Sequence, residues 1–165
     1  YFTLPWMIVT SLQLVIQSMM GSLTVEASRD ESKLVKYSRQ VFAQTARLLI
    51  PMVIFLILIG PYLLRLFGKN YAVEAATLLR LLSLAIVPQI MTGLYFGIAR
   101  IHRSVGGVMK VHASLFVMNL TLSYLLLEKF GITGVGISWL ISQLTIAAVL
   151  FFTQLRPILW PARAK

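Results

Sequence analysis

The chain has 165 residues, of which 58% are hydrophobic and only 12% are charged, and its net charge at pH 7 is +10. Soluble domains carry about twice that share of charged residues, so the composition predicts a membrane protein. Because there is no cysteine, disulfides and thiolate metal sites are excluded.

Five apolar segments predict five transmembrane helices in a single all-α membrane domain that covers residues 1–165. The predicted spans are 2–20, 43–64, 78–99, 110–127 and 132–155. The clearest is the stretch 48–64, which has seventeen residues and no charge. As a helix it measures about 25 Å, close to the thickness of a bilayer's hydrocarbon core. The chain opens at Tyr1 in residues that are already apolar, without a signal-peptide pattern, and we expect it to be a piece of a longer polytopic protein.

Polar side chains fall on one face of the first span, where Thr10, Gln13 and Gln17 share a helical register. Polar groups inside a span face protein or a water-filled cavity, or they hydrogen-bond to neighbouring helices. The segment 21–42 is polar, and we expect it to lie in the cytoplasm and to enter the second span as a continuous helix. Gln44 and Arg47 carry its polar face into that span.

Short sequence motifs predict a break within the third span and the connections between the last three spans. Pro88 and Gln89 interrupt the third span, and Glu128-Lys129 predicts a tight turn between the fourth and fifth spans. A short basic loop is expected at 100–110. His112, Asn119 and Ser123 share one face of the fourth span.

Small residues of the fifth span predict close helix packing. Gly134, Ser138 and Ser142 recur at intervals of four and let helix backbones approach each other. Leu150 on the same span is expected to face lipid.

The basic residues are distributed unequally between the two sides of the membrane. The segments 21–47, 100–110 and 156–165 fall on one side and hold eleven of the fifteen: Arg29, Lys33, Lys36, Arg39, Arg47, Arg100, Arg103, Lys110, Arg156, Arg163 and Lys165. The other side holds four: Arg65, Lys69, Arg80 and Lys129. The positive-inside rule therefore places the first side in the cytoplasm of a cell (inner or plasma) membrane, in contact with anionic lipid headgroups. The same distribution argues against nucleic acid as a partner.

The sequence carries no recognisable catalytic motif. No P-loop, HExxH or GxSxG occurs, and none of the five acidic residues lies in the middle of a span. His102 and His112 are predicted on opposite sides of the headgroup boundary, which makes them poor metal partners. We therefore expect neither an enzyme nor a bound cofactor or metal.

Two segments resemble proteins of a known transporter superfamily. The stretch 67–88, FGKNYAVEAATLLRLLSLAIVP, and the stretch 131–143, GITGVGISWLISQ, are similar to segments of the polysaccharide-biosynthesis flippases of O-antigen type. These flippases belong to the multidrug/oligosaccharidyl-lipid/polysaccharide exporter superfamily. The resemblance implies five helices from one lobe of a two-lobed exporter that works by alternating access. It also implies that the N-terminal lobe of the same chain is missing here.

The resemblance implies a lipid-linked oligosaccharide or polysaccharide precursor as the substrate. Arg47, beside Gln44, is the cation expected to meet its diphosphate, and Gln13, Gln17 and Asn119 are expected to meet its sugars. Arg80 is a further predicted substrate residue: the six together are Arg47, Gln44, Gln13, Gln17, Asn119 and Arg80. Each has a simpler alternative, because an arginine can reach lipid headgroups and an amide can hydrogen-bond between helices.

Three other functions stay open on the sequence alone. A cation-coupled multidrug exporter of the same superfamily usually needs a carboxylate inside the membrane, and these spans have none. A membrane assembly subunit without transport activity requires only that the polar faces meet each other. A membrane glycosyltransferase requires acidic residues near a helix end, where Glu74 and Glu128 are the available ones.

The topology can be tested with single cysteines, because the chain has no native cysteine. We expect cysteines at Ser32 and Ser104 to be protected from a membrane-impermeant thiol reagent in intact cells, and a cysteine at Lys69 to be labelled. Labelling of positions 32 and 104 with protection of position 69 contradicts the predicted orientation.

Overall fold

The computed structural model describes residues 2–29, 34–65 and 69–156, and these residues form an all-α bundle. Its helices are α1 (Thr3–Arg29), α2 (Leu34–Arg65), α3 (Lys69–Ile101), α4 (Val105–Phe130) and α5 (Ile132–Leu150), and a π-helical turn, Phe151–Leu155, continues α5. No strand occurs within these ranges. All five helices are long and apolar enough to cross a membrane. The predicted fold class is confirmed, and by length and composition the chain is a multi-pass membrane protein.

The helices extend beyond the predicted spans. α2 has 32 residues and is about 48 Å long, whereas a bilayer's hydrocarbon core is about 30 Å thick. The extra turns lie at its start, in the segment that the sequence predicts as polar. α1 likewise continues to Arg29, so most of the segment 21–42 is helical and only 30–33 lies outside the described residues.

α3 is the central helix of the bundle. Of its membrane-spanning window, 67% of the residues are buried within the protein, whereas the corresponding share for α4 is 0%. α3 packs against α1, α2, α5 and, more lightly, α4. α4 packs mainly against α5, and among the described residues it makes no backbone contact with α1 or α2.

One face of α2 packs against α3 along the full length of the helix. Its buried residues recur every three or four positions: Ser38, Val41, Thr45, Leu49, Val53, Leu56, Gly60 and Leu64. At Gly60 the helices are so close that a Cβ atom would lie 2.6 Å from Leu79 Cδ2. The opposite face of α2 exposes large apolar side chains such as Ile54 and Leu58, as expected for a surface in contact with lipid.

α1 packs on α3 through Val9, Leu12, Ile16 and Met20, all of which are buried. The close approach occurs at Gly93 of α3, where a Cβ atom would lie 2.7 Å from Ile16 Cγ2. The absence of a side chain at Gly93 lets the two helix backbones approach each other closely.

α5 uses small residues to contact two helices, as its sequence predicts. A Cβ atom at Gly134 would collide with the backbone carbonyl of Leu126 in α4, and one at Gly136 would lie 2.8 Å from Leu78 Cδ1 in α3. Ser138 and Ser142 are also buried. The expectation for Leu150 is wrong, because its side chain is only 4% exposed. It belongs to the buried core of the bundle.

The connections are shorter than the sequence predicts. Pro88 does not interrupt α3, which runs unbroken from Lys69 to Ile101. The predicted basic loop 100–110 is reduced to residues 102–104, since α4 begins at Val105. Glu128 and Lys129 are helical rather than a turn. The turn is Gly131, whose φ of 56° is a left-handed conformation that glycine adopts without strain.

Candidate functional site: a carboxamide-lined cavity

A cavity of about 360 Å³ lies between α1, α3, α4 and α5, within the range of about 300–1,000 Å³ that is usual for ligand pockets. The lining comes from the central parts of the four helices, within 13–17, 89–96, 112–119 and 139–143. α1 and α4 both contribute to it although their backbones do not pack against each other. The cavity is therefore the space between these two helices, with α3 and α5 bordering it.

Five carboxamide side chains converge on this cavity. They are Gln13, Gln17, Gln89, Asn119 and Gln143, and each of the four surrounding helices contributes at least one. An amide carries both hydrogen-bond donors and acceptors but no charge. Thr92 and Ser142 add hydroxyl groups to the lining. Most of the remaining lining is apolar and comes from side chains such as Ile16, Leu115 and Phe116. The cavity therefore suits a neutral ligand that combines apolar surface with hydroxyl or amide groups.

Several of the polar atoms around the cavity have no hydrogen-bond partner within the described chain. Across all described residues, nine buried side-chain nitrogen or oxygen atoms lack a partner, and five of these nine belong to residues that line the cavity. These five are Gln89 Nε2, Asn119 Oδ1, Trp139 Nε1, Ser142 Oγ and Gln143 Oε1. Buried polar atoms are normally paired, and since these atoms expose almost no surface, their side chains must rotate toward the cavity before they can pair with a ligand or with water.

Aromatic rings border the cavity on two sides. The Trp139 ring meets Trp6 of α1 edge to face, with the centroids 5.3 Å apart and the planes at 77°. This contact joins α1 to α5 and holds the indole of Trp139 beside the amides. Phe96 of α3 and His112 of α4 stack with their centroids 4.4 Å apart and their planes at 13°.

Among the residues that the structure describes, no aspartate, glutamate, lysine or arginine lines the cavity. Of the side chains described, His112 is the one histidine in the lining. The described residues also contain no cluster of three or more His, Asp or Glu side chains that could hold a metal ion. The recognition that this cavity offers is therefore hydrogen bonding and aromatic contact.

Three of the six predicted substrate residues meet in this cavity. Gln13 and Gln17 reach it from α1, and Asn119 reaches it from α4. The sequence places them on two separate helices, and the fold brings their polar faces together. Their role in substrate binding stays a prediction.

The other three predicted residues are not in the lining. Gln44 and Arg47 lie on an exposed face of α2, and α2 makes no backbone contact with α4 or α5 in the described chain. Arg80 is exposed on α3. Binding of substrate by these three residues likewise stays a prediction.

Arg80 has a structural partner that the sequence does not indicate. Its Nε donates a hydrogen bond of 3.3 Å to the backbone carbonyl of Ile57 in α2. In a regular helix that carbonyl accepts from the N–H four residues later, but residue 61 is a proline and has no N–H. Arg80 thus pairs with the carbonyl that Pro61 leaves free.

Gln89, Gln143 and Trp139 also line the cavity, although the sequence does not single them out as site residues. The sequence predicts Gln89 as part of a helix break, and Gln143 and Trp139 only as parts of the stretch 131–143. An amide in an apolar span must face protein or a cavity. The argument that singles out Gln13 and Gln17 therefore applies to Gln89 and Gln143 as well.

No family model, curated protein or solved structure matches this chain.

The pairing of Arg80 with Ile57 can be tested by a double-mutant cycle. Arg80→Met removes the donor, and we expect it to lower the free energy of unfolding by about 1–2 kcal/mol, because a carbonyl loses its partner. Pro61→Ala restores the N–H that pairs with Ile57, so Arg80→Met should cost much less in that background. The measurement is unfolding by SDS titration in mixed micelles. An equal cost in both backgrounds contradicts the pairing.

Proposed function

We propose that this bundle is part of a transporter that moves a lipid-linked oligosaccharide or polysaccharide precursor across the membrane by alternating access. The observation that supports this proposal is the convergence of five carboxamides, from four helices, on one uncharged cavity. The missing lobe that the sequence resemblance implies would form the rest of the transport pathway.

The chemistry of the cavity fits a sugar. Sugar hydroxyls donate and accept hydrogen bonds, and the unpaired polar atoms include both kinds: Trp139 Nε1 and Gln89 Nε2 donate, whereas Asn119 Oδ1 and Gln143 Oε1 accept. Aromatic rings such as Trp139 pack against the apolar C–H face of a sugar ring. A cationic drug would lack a counter-charge here, because no carboxylate lines the cavity.

A lipid-linked substrate also carries a diphosphate, for which a cation is needed. Arg47 is the residue we propose for it. Its guanidinium is exposed on α2 and forms no ion pair among the described residues, so it is available to an anionic group. It lies close to the polar first turns of α2, where the diphosphate of a membrane lipid is expected to lie.

The experiment compares two Gln→Leu variants in the cell that makes the protein. Gln143 lines the cavity and is 6% exposed, whereas Gln154 is exposed on the π-helical turn. We expect Gln143→Leu to reduce export of the lipid-linked glycan by about tenfold, since the loss of a buried hydrogen-bond partner costs roughly 1–3 kcal/mol. Gln154→Leu should leave export unchanged, and both proteins should accumulate to the same level.

Export is measured as glycan on the outer surface and as precursor retained inside the cell. Arg47→Ala should lower export as well, and Arg47→Lys should retain part of it, because lysine keeps the charge without the bidentate fork. Normal export by both Gln143→Leu and Asn119→Leu at matched protein levels contradicts the proposed role of the cavity. Loss of membrane assembly without accumulation of precursor would favour the alternative of an assembly subunit.

A further inference from the structure

One outer face of α2 carries two arginines near the point where the helix enters the membrane. Arg39, Ala43 and Arg47 recur at intervals of four residues, so they share a face of the helix, and all three are exposed. The two arginines lie about 12 Å apart along the helix axis. The residue between them is an alanine, whose short side chain leaves the space between the two arginines open.

The packing of α2 fixes the direction of this face. Ser38, Val41 and Thr45 are buried against the rest of the bundle. Because each residue turns the helix by about 100°, the face around Ala43 lies on the opposite side of α2. The two arginines are therefore presented to the surroundings of the bundle and not to α3.

Neither arginine has an anionic partner among the residues whose side chains the structure describes. α2 contains no aspartate or glutamate, so an ion pair within the helix is excluded. Gln40 and Gln44 flank the same face and are exposed as well, and their amides can donate further hydrogen bonds. The face thus offers positive charge and N–H donors, with no carboxylate of its own helix to compete for them.

The position of Arg47 along α2 relates this face to the membrane. The stretch 48–64 that follows it carries no charge and measures about 25 Å, close to the thickness of the hydrocarbon core. Arg47 therefore lies at the boundary between hydrocarbon and headgroups. Arg39 lies about 12 Å further out, beyond a headgroup layer about 5–8 Å thick. The phosphate groups of a membrane lipid fall between the levels of the two arginines.

Two arginines in this arrangement match a diphosphate. Each guanidinium is a planar fork that binds a pair of phosphate oxygens, and a diphosphate presents such a pair on each of its two phosphorus atoms. Extended side chains from Arg39 and Arg47 can both reach the space over Ala43. A monophosphate in the same place provides less charge and fewer oxygen atoms for the two forks.

We propose that Arg39 and Arg47 together bind the diphosphate headgroup of a membrane lipid over Ala43. This inference rests on the proposed function, which assigns the diphosphate to Arg47. It adds Arg39 as a second binding residue and a preference for two phosphates over one. The lipid reaches the site from the bilayer, because Arg47 lies at the edge of the hydrocarbon.

The experiment measures binding to the purified chain in nanodiscs of phosphatidylcholine, a lipid without net charge. The probes are geranylgeranyl diphosphate and geranylgeranyl monophosphate, and their Kd values are measured by calorimetry with empty nanodiscs as the blank. We expect the diphosphate to bind about tenfold more tightly, since one fork loses its partner in the monophosphate. Inorganic diphosphate, the soluble source of the same group, should bind more weakly than the lipid diphosphate.

Three arginine variants separate the proposed site from general attraction to positive charge. Arg39→Gln and Arg47→Gln should each raise the Kd of the lipid diphosphate about tenfold and remove the preference over the monophosphate. Both positions are exposed, so neither change disturbs the core. Arg156→Gln is the control, because Arg156 is exposed after the π-helical turn, and this turn makes no backbone contact with α2. We expect its Kd to equal that of the wild type.

The outcomes distinguish this inference from the proposed function. If Arg47→Gln weakens binding and Arg39→Gln does not, the role of Arg39 is overturned and the proposed function stands. Equal weakening by Arg156→Gln, or equal Kd values for diphosphate and monophosphate, also overturns the two-arginine site. Inorganic diphosphate that binds as tightly as the lipid contradicts a lipid as the ligand. Absence of lipid diphosphate binding counts against both proposals.

Discussion

A polar group inside a membrane-spanning helix must find a partner, and the way each one is paired shapes this bundle. Several hydroxyl groups are paired within their own helix. Thr10, Ser138 and Thr145 each donate to the carbonyl four residues earlier, a local bond that leaves the helix surface apolar. The amides of the cavity behave differently. Gln89, Asn119 and Gln143 each keep a buried atom without a partner, and all of them face the same space. The bundle therefore holds a group of unpaired polar atoms around one cavity, where a rotation of their side chains would bring them to a ligand.

The same constraint explains the contact between α2 and α3. Pro61 removes one backbone donor from α2, and Arg80 of α3 supplies another at the carbonyl of Ile57. The close approach of Gly60 to Leu79 lies beside this bond. Arg80, which the sequence predicts as a substrate residue, thus has a structural role in joining α3 to α2.

The sequence predicts the helices well because hydrophobic length and charge mark membrane spans directly. It does not predict the buried face of α2, because the stretch 48–64 is apolar on every side and lipid accepts such a surface as readily as protein does. Leu150, which is predicted to face lipid, is likewise buried. Gly131 and Gly107 have different structural roles, which the residue type alone does not distinguish. Gly131 forms a left-handed turn. Gly107 lies inside α4, where a Cβ atom would be 2.5 Å from the Tyr95 hydroxyl.

The polar cavity residues were predictable only in part. Gln13 and Gln17 stand out by their shared helical face, whereas Gln89 and Gln143 are single amides whose meeting depends on the packing of α3 against α5. Small residues make that packing possible at Gly136, where Leu78 fills the space that a side chain would need. Which amides share a cavity is therefore a property of the tertiary structure. The type of each residue and the presence of the helices are properties of the sequence.

If the amide cavity binds a neutral sugar, the fluorescence of Trp139, which lies in its lining, must respond to that sugar. The chain has three tryptophans, and replacing Trp6 and Trp160 by phenylalanine leaves Trp139 as the only indole reporter, with an aromatic ring kept at position 6. In lipid nanodiscs, addition of a neutral disaccharide should shift or quench the Trp139 emission in a saturable manner, and Asn119→Leu should weaken the response. An emission spectrum that stays unchanged at saturating sugar, in protein that remains folded, would contradict the account.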